Sequence, residues 1–403
     1  MIAAERNIIM NKHFLFFLLI MALTSRASWS QQQYQPGKLV IQPIQPVAQE
    51  VLPFTQEEID FVFRWRDSRS IDTNFDGSML VESQKTYLLN SERNAINKVV
   101  DGNTPTTVIE QLNLSYMGDK LAYITEDSKY NYVYIINPLT KDTIVTYSEK
   151  KEIVVDKIVH LEANADLTRL VYTYSYGPSY NRLVVLNNEG GMIKKVFEIK
   201  QNSDEESLYE SLDNIVVSDS GNHIFYTASF PTTVMKEGKP INVYETGMYE
   251  LTYDNNTWVG PTKIFVDGFS TLKPLGVAKD GDMLLFRAFQ KGVHILKRTS
   301  EGWSEPVLIT ENSSGFNQYV ISADGLVIAA AQARPPLPPL GSDAPLYFDI
   351  NLYFFDENKP NLYRKHSLTN TDVYSFGHLL LSRDGTRLFW KPEVKSSIHL
   401  FGN

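Results

Sequence analysis

Three groupings in this chain have residue types that could do chemistry. The first, Asp72-x-Asn74-x-Asp76-Gly77, opens like a calcium loop, with oxygen ligands at alternate positions and a glycine sixth. Ser83 stands where the acidic twelfth ligand belongs, with Glu82 one place early, and Asp76-Gly77 serves equally as the turn of a plain hairpin. No metal site is expected there. The second, Asp204-Glu205-Glu206, offers neighbouring carboxylates, but in a charged run that reads as a solvated connection rather than a glycosidase pair. The third is the set of histidines, which is scattered; His223 and His294 stand in strand-like contexts, where a structural role is expected over a ligand's. No Gly-x-Ser-x-Gly elbow presents a nucleophilic serine, and no His-Glu-x-x-His pair presents zinc ligands. With no cysteine in the chain, a thiol nucleophile, thiolate metal sites and disulfides are excluded together. No catalytic residue and no cofactor is legible.

The elements that would position any site are better marked. The 403 residues are 43% hydrophobic, enough for a real core, and carry a net charge of -9, which argues against broad nucleic-acid binding. Phe14–Leu23 is an apolar run preceded by Lys12 and followed by small residues, the layout of a secretory signal peptide over residues 1–30. It is too short to cross a bilayer, and no later stretch is long enough for a membrane span. Its removal takes Arg6, Lys12 and Arg26 together with Glu5, leaving a mature chain of -11. The expected location is therefore periplasmic or secreted. Residues 31–68 form a Gln/Pro-rich tail ending in a short amphipathic helix, with Thr55 as N-cap and Glu58 completing a capping box. Asn-x-Ser/Thr sequons at Asn113, Asn255 and Asn312 read as chance occurrences.

From residue 69 to 403 a repeat takes over. Gly77, Gly118, Gly221, Gly281, Gly325 and Gly385 are each followed three residues later by Leu80, Leu121, Ile224, Leu284, Ile328 and Leu388. Four of them carry Tyr123, Tyr226, Phe286 or Trp390 two residues further on, and Ser115, Ser218, Ser322 and Ser382 stand three residues before a glycine. A degenerate seventh copy has Leu167 where glycine should be. The unit reads as strand, two-residue Asp-Gly hairpin turn, strand, with the apolar positions sharing a face because strand side chains alternate. Successive anchors lie 41 to 60 residues apart, the length of a four-stranded propeller blade. The expected fold is all-β, a β-propeller of seven blades. The last anchor leaves too few residues for a full blade, so Lys38–Gln42 is expected to supply a closing strand.

The unit φ-Ser-x-Asp-Gly-x-x-φ-x-φ resembles the WD-repeat-like blades of the TolB-type periplasmic propeller of the Tol–Pal system, and those of prolyl-oligopeptidase-type propellers. The resemblance covers about residues 72–403 and implies architecture only, since unrelated activities share the fold.

In such a blade, with strands a to d counted outward, a–b turns lie on one face and b–c loops on the other. Three b–c segments are long: 174–181, 230–247 and 334–345. Their tyrosines and apolar residues make that rim the expected binding surface, with Tyr174, Tyr176, Tyr180, Phe230, Tyr244, Arg334 and Leu337 as candidate binding residues. The Pro-rich 335–339 stretch reads as a stiff docking finger. The leading expectation is an exported, non-catalytic propeller that binds a protein or envelope component. The alternative is a carbohydrate- or peptide-acting enzyme whose site assembles at the central channel; acidic or histidine side chains converging there would favour it.

Overall fold

The structure, a computed structural model, describes residues 71–75, 80–82, 87–89, 96–98, 111–151, 157–176, 180–202, 213–236, 239–266, 268–269, 271–311, 317–334, 347–355, 363–374, 376–392 and 399–401. The expected signal peptide, tail, capped helix and Lys38–Gln42 strand lie outside these residues, as do Asp76, Gly77, Asp204-Glu205-Glu206 and Leu337.

Every sheet is a consecutive stretch of chain whose strands pair with their sequence neighbours, with one exception in the fifth. The first holds β1 (Ile71–Thr73), β2 (Leu80–Glu82), β3 (Tyr87–Leu89) and β4 (Ile96–Lys98). The second holds β5 (Leu112–Leu114), β6 (Leu121–Glu126), β7 (Tyr130–Ile136) and β8 (Thr143–Lys150). The third runs β9 (Lys157–Ala163), β10 (Arg169–Tyr176), β11 (Tyr180–Glu189) and β12 (Met192–Asn202). In the fourth are β13 (Asp213–Val217), β14 (His223–Lys236), β15 (Lys239–Asp254) and β16 (Thr257–Ile264). The fifth has β17 (Leu272–Ala278), β18 (Met283–Ala288) and β19 (Gly292–Thr299), with β20 (Gly302–Trp303) and β21 (Val307–Thr310) both pairing β19 and sharing the outer place. The sixth has β22 (Gln318–Ile321), β23 (Val327–Ala333), β24 (Tyr347–Phe355) and β25 (Tyr363–Tyr374). The seventh has three strands among the described residues, β26 (Phe376–Leu381), β27 (Leu388–Pro392) and β28 (His399–Phe401). Neighbouring a strands lie side by side in a circle that returns from β26 to β1, so the fold is a β-propeller.

The repeated serine explains the corner that turns strand a into strand b. In the second, fourth, sixth and seventh sheets the serine hydroxyl accepts the amide five residues on: Lys120 and Val327 at 3.0 Å, His223 at 3.1 Å and Arg387 at 2.9 Å. Ser322 and Ser382 also donate to Asp324 and Asp384, whose carboxylates accept the Leu326 and Thr386 amides. The connection is a four-residue turn closed by a glycine N–H on the serine carbonyl, not the two-residue hairpin expected. Only the glycine takes positive φ, 71° to 76° at Gly118, Gly221, Gly325 and Gly385, while the aspartate serves by hydrogen bonding. Leu167 takes the same conformation, φ 58°, in the degenerate copy, where Asn164 replaces the serine and accepts the Arg169 amide at 2.8 Å.

These corners also tie sheet to sheet. Phe75 N–H donates to Tyr116 C=O (2.9 Å), Tyr116 to Ala165 (2.8 Å) and Ala165 to Asp219 (3.1 Å). Ser220 N–H meets the Asp280 carboxylate (2.8 Å), Lys279 donates to Ala323 (2.7 Å) and Ala323 to Arg383 (2.7 Å). Asp384 N–H then returns to Phe75 C=O at 3.1 Å. Each bond runs in the same sense, so seven links form a closed belt around the axis.

The core is layered between sheets. Leu170, Tyr172 and Tyr174 pack with Ile124, Val133 and Ile135 of the second sheet, whereas Val171 packs with Ile224 and Tyr226 of the fourth. Both faces of the inner strands are thus covered. That is why β6 and β23 read as continuous apolar runs rather than alternating ones.

Candidate functional site

The b–c connections emerge on one face, called here the rim face, and the serine corners on the other. The expected rim residues divide when placed on this frame. Tyr174 is a correction: it lies in β10 on the face of Leu170 and Tyr172, is 2% exposed, and donates its hydroxyl to Glu149 at 3.0 Å. Strand alternation carries it into the core, so it is no surface residue. Tyr176 and Tyr180 stand opposite each other at the end of the β10–β11 hairpin. Arg334 is half exposed and forks onto Asp349, with Nη2 and Nε 2.7 and 3.1 Å from Oδ1.

Phe230 and Tyr244 lie on paired strands where a loop was expected. Strands β14 and β15 stay in register from His223 opposite Thr252 to Lys236 opposite Lys239, placing Phe230 opposite Glu245 and Tyr244 opposite Pro231. Their flanking neighbours reach less far, β13 pairing no further than Thr227 and β16 no further than Met248. Residues 228–236 and 239–247 therefore project as a two-stranded ribbon, about 30 Å long at roughly 3.3 Å per residue. A two-residue connection makes Lys236 and Lys239 the hydrogen-bonded pair, so alternation leaves Pro231 and Pro240 where their missing N–H groups would have faced outward. Each ribbon edge thus lacks one outward donor, which guards it against strand addition. Recognition by the ribbon falls to side chains, among which Met235 is 69% exposed.

Two buried charge clusters lie between sheets. Arg182 is held by Glu149 (3.0 Å) and Glu198, with Tyr172, Tyr174 and Lys195 also on Glu149. Burial pushes the Glu149 carboxyl up, but the Tyr172, Lys195 and Arg182 donors outweigh it and hold its pKa below the usual range. In the fourth sheet Glu250 takes His223 Nδ1 at 2.8 Å and Arg298 Nη2 at 2.5 Å. Burial is again outweighed by these partners, which lower its pKa. His223 is thereby a bonded structural histidine, and His294 is buried between Phe269 and Phe286. Both clusters join sheets.

The central channel is the other concave feature. At the register position two residues before each corner stand Asp72, Asn113 and Glu162, then Val216, Gly276, Val320 and Leu380. One side is polar and the other apolar. Among the described ones these positions are half-buried, and the solvent an a strand reaches is that of the channel. Asp72 accepts the Thr73 and Leu114 amides at 2.8 and 2.6 Å. Burial nonetheless raises its pKa to about 7, with Glu162 adding to the rise and Arg383 opposing it. His160 Nε2 lies 3.2 Å from Glu162 Oε1. At the corner-face mouth Arg383 reaches over the axis, its Nη1 3.6 Å from Asp219 of the fourth sheet and its guanidinium 5.5 Å from the Tyr116 ring of the second. Burial works against that charge, but Tyr116, Asp219, Asp72 and Glu162 together raise its pKa. Sequence reasoning met Asp72 only as part of a calcium-like loop and passed over Glu162 and Arg383. Asp72 and Glu162 share a signal in the repeat, each standing two residues before the corner asparagine, Asn74 or Asn164, while Arg383 directly follows the corner Ser382.

Among the described residues no three His, Asp or Glu side chains are arranged to hold a metal, and no helix is long and apolar enough to cross a membrane.

These features define a β-propeller with a channel, a ribbon and inter-sheet ion clusters. Neither a family model nor a curated protein matches the sequence. Solved propellers do match in shape. A chain of the mitotic checkpoint complex aligns with TM-score 0.53 at 10% identity, over 84% of this chain and 91% of its own. The Cps50 (Swd1) propeller domain from Myceliophteria thermophila aligns with TM-score 0.52 at 12% identity, over 84% and 97%. An oligogalacturonate lyase in complex with manganese aligns with TM-score 0.51 at 13% identity, over 82% and 89%. Likeness at this identity is a likeness of fold, and the fold serves binding proteins and enzymes alike.

Proposed function

We propose that this chain is an exported, non-catalytic propeller of seven blades that binds a protein or envelope component through its rim face. The observation that carries this reading is the β14–β15 ribbon, which extends past both flanking strands. A projecting element on a rigid disc is suited to recognition. Residues 1–30 support export to the periplasm or beyond, and the acidic balance supports a protein rather than a nucleic-acid partner. The test is affinity capture from the native envelope with the intact protein and with a variant joining Ala228 to Gly247 through a two-residue turn. A partner held by the first and lost by the second supports the reading; an unchanged set of partners contradicts it.

A second reading, an enzyme acting on carbohydrate or peptide, is favoured by the convergence of Asp72, Glu162 and His160 on one side of the channel, with Asp72 able to hold a proton near neutral pH. Hydrolysis of glycan or peptide substrates by the intact protein, lost in Asp72→Asn, would support it.

A further inference from the structure

We infer that the Arg383 side chain is a gate across the corner-face mouth of the channel, so that a channel ligand enters and leaves by the rim face while the gate is shut. This goes beyond both readings of the function and rests on neither. The frame of the mouth comes from the repeat. In each blade the residue directly after the corner residue lends its backbone to the belt, from Phe75 in the first sheet to Arg383 in the seventh. The belt fixes these backbones, and what crosses the mouth is set by their side chains. Ala165 and Ala323 are too short to reach the axis. Phe75 and Tyr116 pack ring against ring on one side, with centroids 5.6 Å apart.

Arg383 is the side chain that crosses. Its Nη1 lies 3.6 Å from the Asp219 carboxylate and its guanidinium 5.5 Å from the Tyr116 ring centroid. Tyr116 belongs to the second sheet and Asp219 to the fourth, two and three places from the seventh sheet in opposite directions around the ring. One side chain can meet both only by lying over the axis. Behind it on the channel wall, Asp72 and Glu162 favour its charge, as Tyr116 and Asp219 do at the mouth. The closure is a loose one. Among the described residues the guanidinium makes no hydrogen bond, its side chain is 29% exposed, and an ion pair in that setting is weak. Arg182, by contrast, is clamped by Glu149 and Glu198 and is 2% exposed. A long side chain so lightly held swings by rotamer changes, while the belt around it stays in place.

The absence of cysteine makes the test clean, since introduced thiols are the only ones in the chain. Met117→Cys places one on the corner face, where Met117 is 74% exposed, and Val320→Cys places one on the channel wall. A flexible bis-maleimide long enough to span the two is added to the full chain, and the intramolecular bridge is followed by mass spectrometry. Each rate is divided by the reactivity of the two single-thiol variants toward N-ethylmaleimide. Bridging is expected to be slow with the gate in place, about tenfold or more faster with Arg383→Ala, and about threefold faster with Asp219→Asn, which removes the charge that holds the gate shut. Thermal melts confirm that the variants fold, and Arg383→Gln replaces Arg383→Ala if that one does not. Equal bridging rates with and without the Arg383 side chain would overturn the proposal. Because no partner or substrate enters the measurement, that result would leave the capture and hydrolysis tests of the two functional readings untouched.

Discussion

Arg182 shows how this protein keeps charges inside a core. Its guanidinium is 2% exposed and is satisfied from two sheets, by Glu149 of β8 and Glu198 of β12. Breaking such a pair strands the partner carboxylates, so Arg182→Met should lower stability by about 3 kcal/mol or more in denaturant melts. Asp72 carries the opposite sign of argument. Burial raises its pKa from 3.8 to about 7, so the neutral carboxyl is the better tolerated form. Its contribution is fully present below about pH 4 and is lost as pH rises through about 7. Asp72→Asn should therefore flatten the fall in melting temperature over that window relative to the parent, and parallel profiles for the two proteins would refute the assignment. The glycine and serine anchors were legible in the sequence because a corner needs a particular φ and a particular acceptor. Tyr174 was misplaced for a different reason. Whether a tyrosine at the end of strand b points to solvent or to the next sheet depends on strand register, which no local pattern at 174–181 reveals.

At the level of elements, the corner and the ribbon make contrasting demands. The Ser322 hydroxyl bonds both Asp324 and the Val327 amide and is fully buried. Ser322→Ala should leave that amide without its side-chain partner and cost about 1–2 kcal/mol, read as a shift in the denaturation midpoint with unchanged slope. The ribbon should behave oppositely. Removing 229–246 deletes only β14–β15 pairs that lie beyond the flanking strands and none of the β13–β14 or β15–β16 pairs, so the melting temperature should change by no more than about 2 °C. The apolar +3 and +5 positions foretold β6, β14, β18, β23 and β27, and the structure buries all of the described ones. The long b–c connection at 230–247 was taken for a loop, although it holds only two prolines, Pro231 and Pro240. In a ribbon with open edges prolines are tolerated at outward positions, so they did not break it.

Across the whole molecule, the ring is held by its layered core and by the hydrogen-bond belt around its axis, in a chain with no cysteine for a disulfide. Arg383 adds a link across the channel to Asp219 and Tyr116. Arg383→Met and Asp219→Asn should each lower the melting temperature, and the double variant should lose less than the sum, since both remove one interaction. Propeller architecture could be read from the spacing of its corners, because each blade is a local unit repeated. The function could not, because residues of different blades meet only in the closed ring: Asp72, Glu162 and Arg383 are brought together only by closing the circle.

The central claim is that the rim face, not the corner face, meets the partner. Site-specific photo-crosslinking tests it most directly, with the photoreactive residue placed at Tyr244 or Phe289 on the rim face and at exposed Leu139 or Met192 in c–d turns on the corner face. In the native envelope, adducts to a common partner are expected from the first pair alone. Adducts arising from Leu139 or Met192, with none from Tyr244 or Phe289, would contradict the account.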